Sequence, residues 1–360
     1  MALEKSMRSE PVPENKFSSF AEVIPLEQCV GKVLAHDITE IRPGQFKGPA
    51  FKKGHIVREE DLEHLKRLGK EHLFVLHISE GEYHEDDAAV MMADALCGRN
   101  VEHDGNPAEG KIALKASVTG LLKINVEALI EFNMVPDVMC SARHNNDVVR
   151  RGEIVAGTRA IPLVIREEFV NEAVAVAKGV GGIFSVKEFS RMKAGAVITG
   201  NEVFYGRIND KFAPILRKKL AGFDCPLEEI SVCPDDKDII RDTILDFIEK
   251  GIQLVLVAGG MSVDPDDVSR VAINDAGATD LAYGSPVLPG AMFLYARIKD
   301  VPIMGLPACV LYYRATVFDL MLPRVLAGER ITRRDLAEMA HGGLCLNCEK
   351  CHYPICPFGK

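Results

Sequence analysis

The spacing of apolar and polar positions changes character twice along this chain. Between residues 21 and 80 the apolar runs are short and interrupted by Gly and Pro, as in Val33-Leu34-Ala35 and then Gly44-Gln45-Phe46-Lys47-Gly48-Pro49. That pattern predicts a small β-rich unit with one helix at about Arg58–Leu68, stopped by Gly69, and a strand at Leu73–Leu76. From 84 to 190 the pattern is mixed. It predicts helices over Asp86–Leu96, Asn125–Asn133 and residues 166–178, a half-buried strand at Lys111–Ala116, and two apolar stretches within Gly152–Val164.

From 191 onward strand and helix periods alternate. Strands are predicted at Gly195–Ile198, Leu227–Cys233, Leu254–Ala258, Ala278–Tyr283, Phe293–Ile298 and Pro302–Gly305. Helices are predicted at Asp210–Ala221, Asp235–Lys250 and 308–327. Such alternation implies an α/β fold: a mostly parallel sheet with helices on both faces, joined by right-handed crossovers. The expected organisation is an arm at 1–20, a small β-rich domain at 21–80, a mixed α/β linker domain at 81–190, an α/β domain at 191–328 and a Cys-rich tail at 329–360.

Composition narrows the function. With 47% hydrophobic and 26% charged residues the chain is ordinary globular protein, and a formal net charge of -9 argues against general nucleic-acid binding. No apolar run reaches the roughly 18 residues of a membrane span. Met1–Phe20 lacks the apolar core of a signal peptide, so the cytoplasm is the expected compartment. Six of the ten cysteines (Cys29, Cys97, Cys140, Cys225, Cys233, Cys309) are scattered, mostly among apolar neighbours, as buried reduced thiols are.

The densest chemistry lies at 255–267, where a buried strand runs into Gly259-Gly260-Met261-Ser262-Val263-Asp264-Pro265-Asp266-Asp267. Glycines expose backbone N–H groups to anions, and clustered Asp residues bind Mg²⁺ or accept hydrogen bonds. Both features at the carboxyl end of a parallel strand point to a phosphate-bearing ligand. Asp266 or Asp267 is also a candidate N-cap for the next helix. In the tail, Cys345-x2-Cys348-x2-Cys351-x4-Cys356 has metal-ligand spacing, and both a [4Fe-4S] cluster and a structural Zn²⁺ suit it. His341 and His352 lie nearby. Asp and Glu at His84-Glu85-Asp86-Asp87 complement the dipole of a starting helix. Arg159 is a candidate contact for an anionic ligand or partner, and Lys47, Arg143 and His144 are weaker ones.

Four ordered segments across 191–328 resemble the molybdopterin-binding fold (MoaB/Mog-like) of molybdopterin adenylyltransferases and molybdenumtransferases, including gephyrin's C-terminal domain. Thr199-Gly200-Asn201-Glu202-Val203 is similar to the family's Thr-Gly-Asp-Glu-Leu loop. Pro234-Asp235-Asp236 is similar to its Asp-bearing turn, the 259–267 loop to Gly-Gly-Val-Ser-Val-Gly-x-x-Asp, and Gly305-Leu306-Pro307 to Gly-Leu-Pro-Gly-Asn-Pro. The resemblance implies catalytic carboxylates at Glu202, at one of Asp235 or Asp236 (Asp236 is carried into the acid set) and at Asp267, with Asp267 also a metal ligand. It implies a cofactor-binding surface of Thr199, Gly200, Asn201, Gly259, Gly260, Met261, Ser262, Pro289 and Gly290. The implied ligands are molybdopterin, or its nucleotide form, and Mg²⁺. A molybdoenzyme client and a homo-oligomer are the implied partners.

Departures accompany the resemblance. The family's Pro-Gly-Lys-Pro is Pro289-Gly290-Ala291-Met292 here, Gly-Asn-Pro becomes Ala308-Cys309-Val310, and the N-terminal half has no Asp-Gly-x-Ala signature. Losing a Lys removes a point charge useful to a polyanion. The whole chain resembles a group of bacterial molybdopterin-binding proteins with His84-Glu85-Asp86, Gly157-Thr158-Arg159-x-Ile161-Pro162 and a Cys-rich tail. The expected function is molybdopterin binding in cofactor biosynthesis or delivery, with Mg²⁺-dependent molybdenum or nucleotidyl transfer. The alternatives are a non-catalytic carrier or assembly factor and an Mg²⁺-dependent nucleotide phosphohydrolase.

Overall fold

The computed structural model describes residues 21–42, 46–76, 78–108, 110–262 and 264–360. The expected arm at 1–20, Gly44-Gln45 and Val263 lie outside the described residues.

The runs Ala194–Thr199 and Leu254–Ala258 are buried at every position. A strand covered by helices on both faces needs apolar side chains in both directions, which explains their continuous rather than alternating hydrophobicity. They sit inside a six-stranded sheet of order Leu227–Cys233, Ala194–Thr199, Leu254–Ala258, Val301–Leu306, Leu294–Ile298, Thr279–Tyr283. The first four pair in parallel and the last two antiparallel. The change of direction has a local cause: Ile298 and Val301 face each other across a two-residue turn, too short for a crossover helix.

Successive residues feed opposite layers. Ala196, Ile198, Leu254 and Leu256 pack under the helices Phe212–Ala221 and Val317–Leu326. Val197, Val255 and Val257 pack under Lys237–Glu249 and Ser269–Asp275. The fold class is therefore the expected α/β sheet with helices on both faces.

The single helix predicted over 308–327 is corrected. Ala308–Leu311 is a short 3₁₀ turn, and the α-helix starts only at Val317. Thr316 ends the irregular stretch: its hydroxyl accepts from the Phe318 N–H at 3.2 Å, and its own N–H donates to Asp319 Oδ2 at 2.8 Å. This capping box fixes the start of the helix. Pro323 lies inside that helix and has no N–H for the carbonyl of Asp319 four residues earlier. The Tyr353 hydroxyl, from the tail, donates to that carbonyl at 3.3 Å.

Residues 85–188 have a separate core under the helices Glu85–Leu96, Val126–Met134 and Glu167–Gly179. Residues 21–76 pair Ala21–Pro25 with His72–Leu76 and Ile38–Arg42 with Phe46–Phe51 around a small third cluster. Charged groups join the second region to the C-terminal one. Glu329 meets Lys123 at 2.7 Å, Lys187 at 3.0 Å and Arg324 at 2.8 Å. Among the described residues no helix is long and apolar enough to cross a membrane.

Candidate functional site

Parallel pairing brings the carboxyl ends of several strands to one edge. Thr199 stands opposite Cys233, and Ala258 opposite both Ile198 and Leu306. The loops beginning at Gly200, Pro234, Gly259 and Pro307 therefore leave the sheet side by side. Segment 284–293 joins them, because Tyr283 faces Leu294 and Leu294 faces Gly305.

The first two loops are locked together reciprocally. The Asn201 N–H donates to Asp235 Oδ2 at 2.9 Å, and the Asp235 N–H donates to Asn201 Oδ1 at 3.3 Å. The two adjacent aspartates thus divide their work. Asp236 accepts from the Asp238 and Ile239 N–H groups at 2.9 and 3.1 Å and is the N-cap of Lys237–Glu249. Asp235 is turned instead to the Asn201 loop, which it holds through Oδ2. Burial lifts its carboxyl above the usual range; the Asn201 N–H opposes this, and the charges of Glu202, Asp267 and Asp266 reinforce it. The loops that begin at Gly200, Pro234 and Gly259 therefore carry their acids to the same edge of the sheet.

The glycine loop is tightly fitted. Gly260 has φ 61°, and a Cβ there would lie 2.3 Å from Ser269 Oγ. Ser269 is fully buried and its hydroxyl lies 3.1 Å from that of Thr199. Gly259 donates to the Leu306 carbonyl at 3.1 Å, stitching the loop to the next strand. The Ser262 N–H donates to Asp267 Oδ2 at 2.9 Å. Asp267 is therefore turned back into its own loop; neither it nor Asp266 caps the following helix, whose N-cap position is Val268 without a side-chain bond. The Gly260 and Met261 N–H groups have no acceptor among the described residues.

Three residues not singled out from sequence complete this edge. Ser269 holds Thr199. The Tyr283 hydroxyl donates to the Met261 carbonyl at 2.8 Å, and the Arg270 guanidinium carbon lies 4.4 Å above the Tyr283 ring. The signal that finds Tyr283 is positional: it ends a strand antiparallel to one that starts at the same edge.

Pro289 and Gly290 lie at this edge too, packed on the start of the last long helix. The Val317 N–H donates to the Pro289 carbonyl at 3.2 Å, and Ser285 Oγ donates to the Gly290 carbonyl at 3.3 Å. Other sequence candidates lie elsewhere. Arg159 reaches Glu85 at 3.3 Å, and this buried carboxylate also pairs with Lys53. Arg143 pairs with Glu153 at 2.7 Å. His84 caps the helix after it through Nδ1. All ten cysteines are free thiols. Among the described residues no three His, Cys, Asp or Glu side chains converge as metal ligands, so neither the acids nor the tail thiols form a ready-made metal cage.

Comparison with known proteins places this edge in context. Residues 195–327 match a family described as a probable molybdopterin binding domain, and residues 23–77 match a domain of unknown function. A CinA-like protein of Mycobacterium tuberculosis is 32% identical over 77 residues, which are 21% of this chain and 18% of that protein. The molybdopterin molybdenumtransferase of Synechococcus elongatus is 24% identical over 164 residues, covering 43% of this chain and 38% of the relative. This chain thus spans well under half the length of these relatives. A MoaB structure from Thermus thermophilus superposes with a TM-score of 0.31 at 18% identity, over 38% of this chain and 98% of the other.

Proposed function

We propose that this chain, whose residues 195–327 are a MoaB/Mog-like molybdopterin-binding domain, binds molybdopterin at the carboxyl edge of its six-stranded sheet and acts in molybdenum-cofactor biosynthesis or delivery. The observation that carries this reading is the side-by-side exit of the loops bearing Glu202, Asp235 and Asp267, the first two locked through Asn201, beside two backbone amides that have no acceptor among the described residues.

The residues fit such a ligand. A dianionic phosphate takes N–H groups such as those of Gly260 and Met261, which have no acceptor among the described residues, and Arg270 above Tyr283 adds positive charge beside the same loop. A pterin presents N–H donors that carboxylates accept. Carboxylate oxygens are also the hard donors Mg²⁺ prefers. When bound, Mg²⁺ would be held by carboxylates among Glu202, Asp235 and Asp267 and would supply positive charge to offset these acids and a phosphate. Positioning by the locked Asn201–Asp235 pair and by the Gly260 cradle does the rest of the work in a transfer reaction. Within this reading Asp235, rather than Asp236, is the working acid, because Asp236 is committed to its helix. A homo-oligomer, a molybdoenzyme client and the five-part division of the chain belong to the same proposal. The second reading, a carrier without transfer chemistry, is favoured by Ala291, where the related transferases have Lys.

Pterin fluorescence titration of the full chain, followed by incubation with molybdopterin, molybdate, Mg²⁺ and ATP, tests both. Binding is expected to weaken at least about tenfold in Asp267→Asn, equivalent to about 1.4 kcal/mol. Turnover would support transfer, and binding without turnover would support the carrier. No pterin binding would refute the proposal.

A further inference from the structure

The four tail cysteines lie in a loop that the fold closes on itself. The Gly359 N–H donates to the Gly342 carbonyl at 2.9 Å, and a Cβ on Gly342 would lie 2.2 Å from the Lys360 carbonyl oxygen. The two ends of residues 342–360 are thus held together by backbone contact that only glycine permits.

Each end is anchored to a different structure. At the entry, Leu288 donates to the Gly343 carbonyl and Cys345 donates to the Leu288 carbonyl, both at 2.8 Å. This bridge fastens the tail to segment 284–293, which borders the candidate site. At the exit, Phe358 is buried in the main core, Tyr353 satisfies the carbonyl left open by Pro323, and the Lys360 ammonium pairs with Asp147 in the 85–188 region.

Between the anchors little holds the chain. Cys345 and Cys356 pack against the core, whereas Leu346 is 66% exposed, Ile355 87%, and Cys348 lies open to solvent. An arc with so few apolar contacts needs a staple to be ordered. It carries four thiols at x2, x2 and x4 spacing, and its fixed ends keep them at high mutual concentration.

We propose that residues 342–360 form a tetrathiolate metal centre, ligated by Cys345, Cys348, Cys351 and Cys356, whose loading fastens segment 284–293 beside the site. For a divalent ion, four S–H bonds break, four metal–sulfur bonds form and the protons leave to solvent, with no change of oxidation state. The sulfurs are not preassembled, so binding draws residues 346–352 toward Cys345 and Cys356 around the ion and couples metal affinity to local ordering. A mononuclear Zn²⁺ and an iron–sulfur cluster use this same thiolate set.

The full chain, purified anaerobically, is analysed for iron, sulfide and zinc. It is then stripped and titrated with Co²⁺ alone. A brown, iron- and sulfide-containing protein identifies a cluster; a colourless one with about one Zn²⁺ per chain identifies the mononuclear centre. Stripped protein is expected to take up about one Co²⁺, with thiolate-to-cobalt charge-transfer absorption and release of up to about four protons. Cys348→Ser should bind Co²⁺ more weakly and lose part of that absorption, and its exposed side chain makes this variant safe for folding. Hydrogen exchange over 284–293 and at the Cys345 amide should slow several-fold on loading in the wild type and not in the variant. Absence of bound metal, an unchanged cobalt spectrum in Cys348→Ser/Cys351→Ser, or exchange indifferent to loading would each overturn the proposal. No pterin is involved, so failure here leaves the ligand reading standing.

Discussion

Replacing Glu329 by Gln removes one negative charge from the place where the C-terminal region meets the middle one. Its side chain is only 10% exposed and lies within 3.0 Å of Lys123, Lys187 and Arg324. Burial works to raise its carboxyl pKa, but hydrogen bonds from those three cations outweigh burial and take it from 4.5 to about 2. Two to three pH units correspond to about 3 kcal/mol favouring the ionised form. Partial solvent screening brings the net loss in Glu329→Gln to about 2–3 kcal/mol near neutrality. A folded pKa below the unfolded one gives stability that is complete above pH 4.5 and fades as pH falls through 2. By pH 3 the unscreened difference has shrunk to about 1 kcal/mol. Urea unfolding of the two proteins at pH 7 and pH 3, followed by a probe in each region, measures it. A gap of the same size at both pH values, or no gap at pH 7, would refute the charge argument.

Other outcomes follow from the same structure. Asp236→Ala should cost about 1 kcal/mol as a lost N-cap while leaving pterin affinity unchanged in titration. Asp235→Asn should do the reverse: the carboxyl is raised by burial and by neighbouring acids, so its ionisation opposes folding as pH rises, and the Asn variant should melt higher at pH 7 yet bind the Mg²⁺–pterin complex more weakly. Gly260→Ala combines φ 61° with a 2.3 Å approach to Ser269 and should destabilise by about 2–4 kcal/mol and abolish binding, checked by calorimetry and titration. Tyr353→Phe should cost about 1 kcal/mol and increase proteolysis of the tail, since Asp319 loses its donor.

Much of the α/β domain was legible because its strands and helices carry their own periods. Leu254–Ala258 is uniformly apolar because both its faces are covered, and the helix Lys237–Glu249 keeps Ile240, Ile244 and Phe247 on one side. The loop acids were legible as candidates because each follows a strand whose apolar pattern is readable. What local pattern did not carry was the division between neighbours. Asp235 and Asp236 are chemically identical, and only the backbone at the helix start decides which one caps. Helix 308–327 was over-extended because Val310, Leu311 and Ala315 satisfy an apolar period; the capping box at Thr316 is the stronger signal. Tyr283 and Arg270 were missed because Tyr283 reaches this edge through antiparallel pairing far along the chain and Arg270 by stacking on its ring, neither of which spacing encodes.

Pro323 carries a lesson for anyone trimming this protein. The recognisable domain stops at residue 327, yet Ile331, Leu336 and Phe358 are buried against its core. A fragment ending at the family boundary would leave a cavity where Phe358 sits and a peptide oxygen with no partner in the helix below. The tail is structurally a late-arriving piece of the interior, and the smallest unit expected to fold well extends to the last residues of the chain.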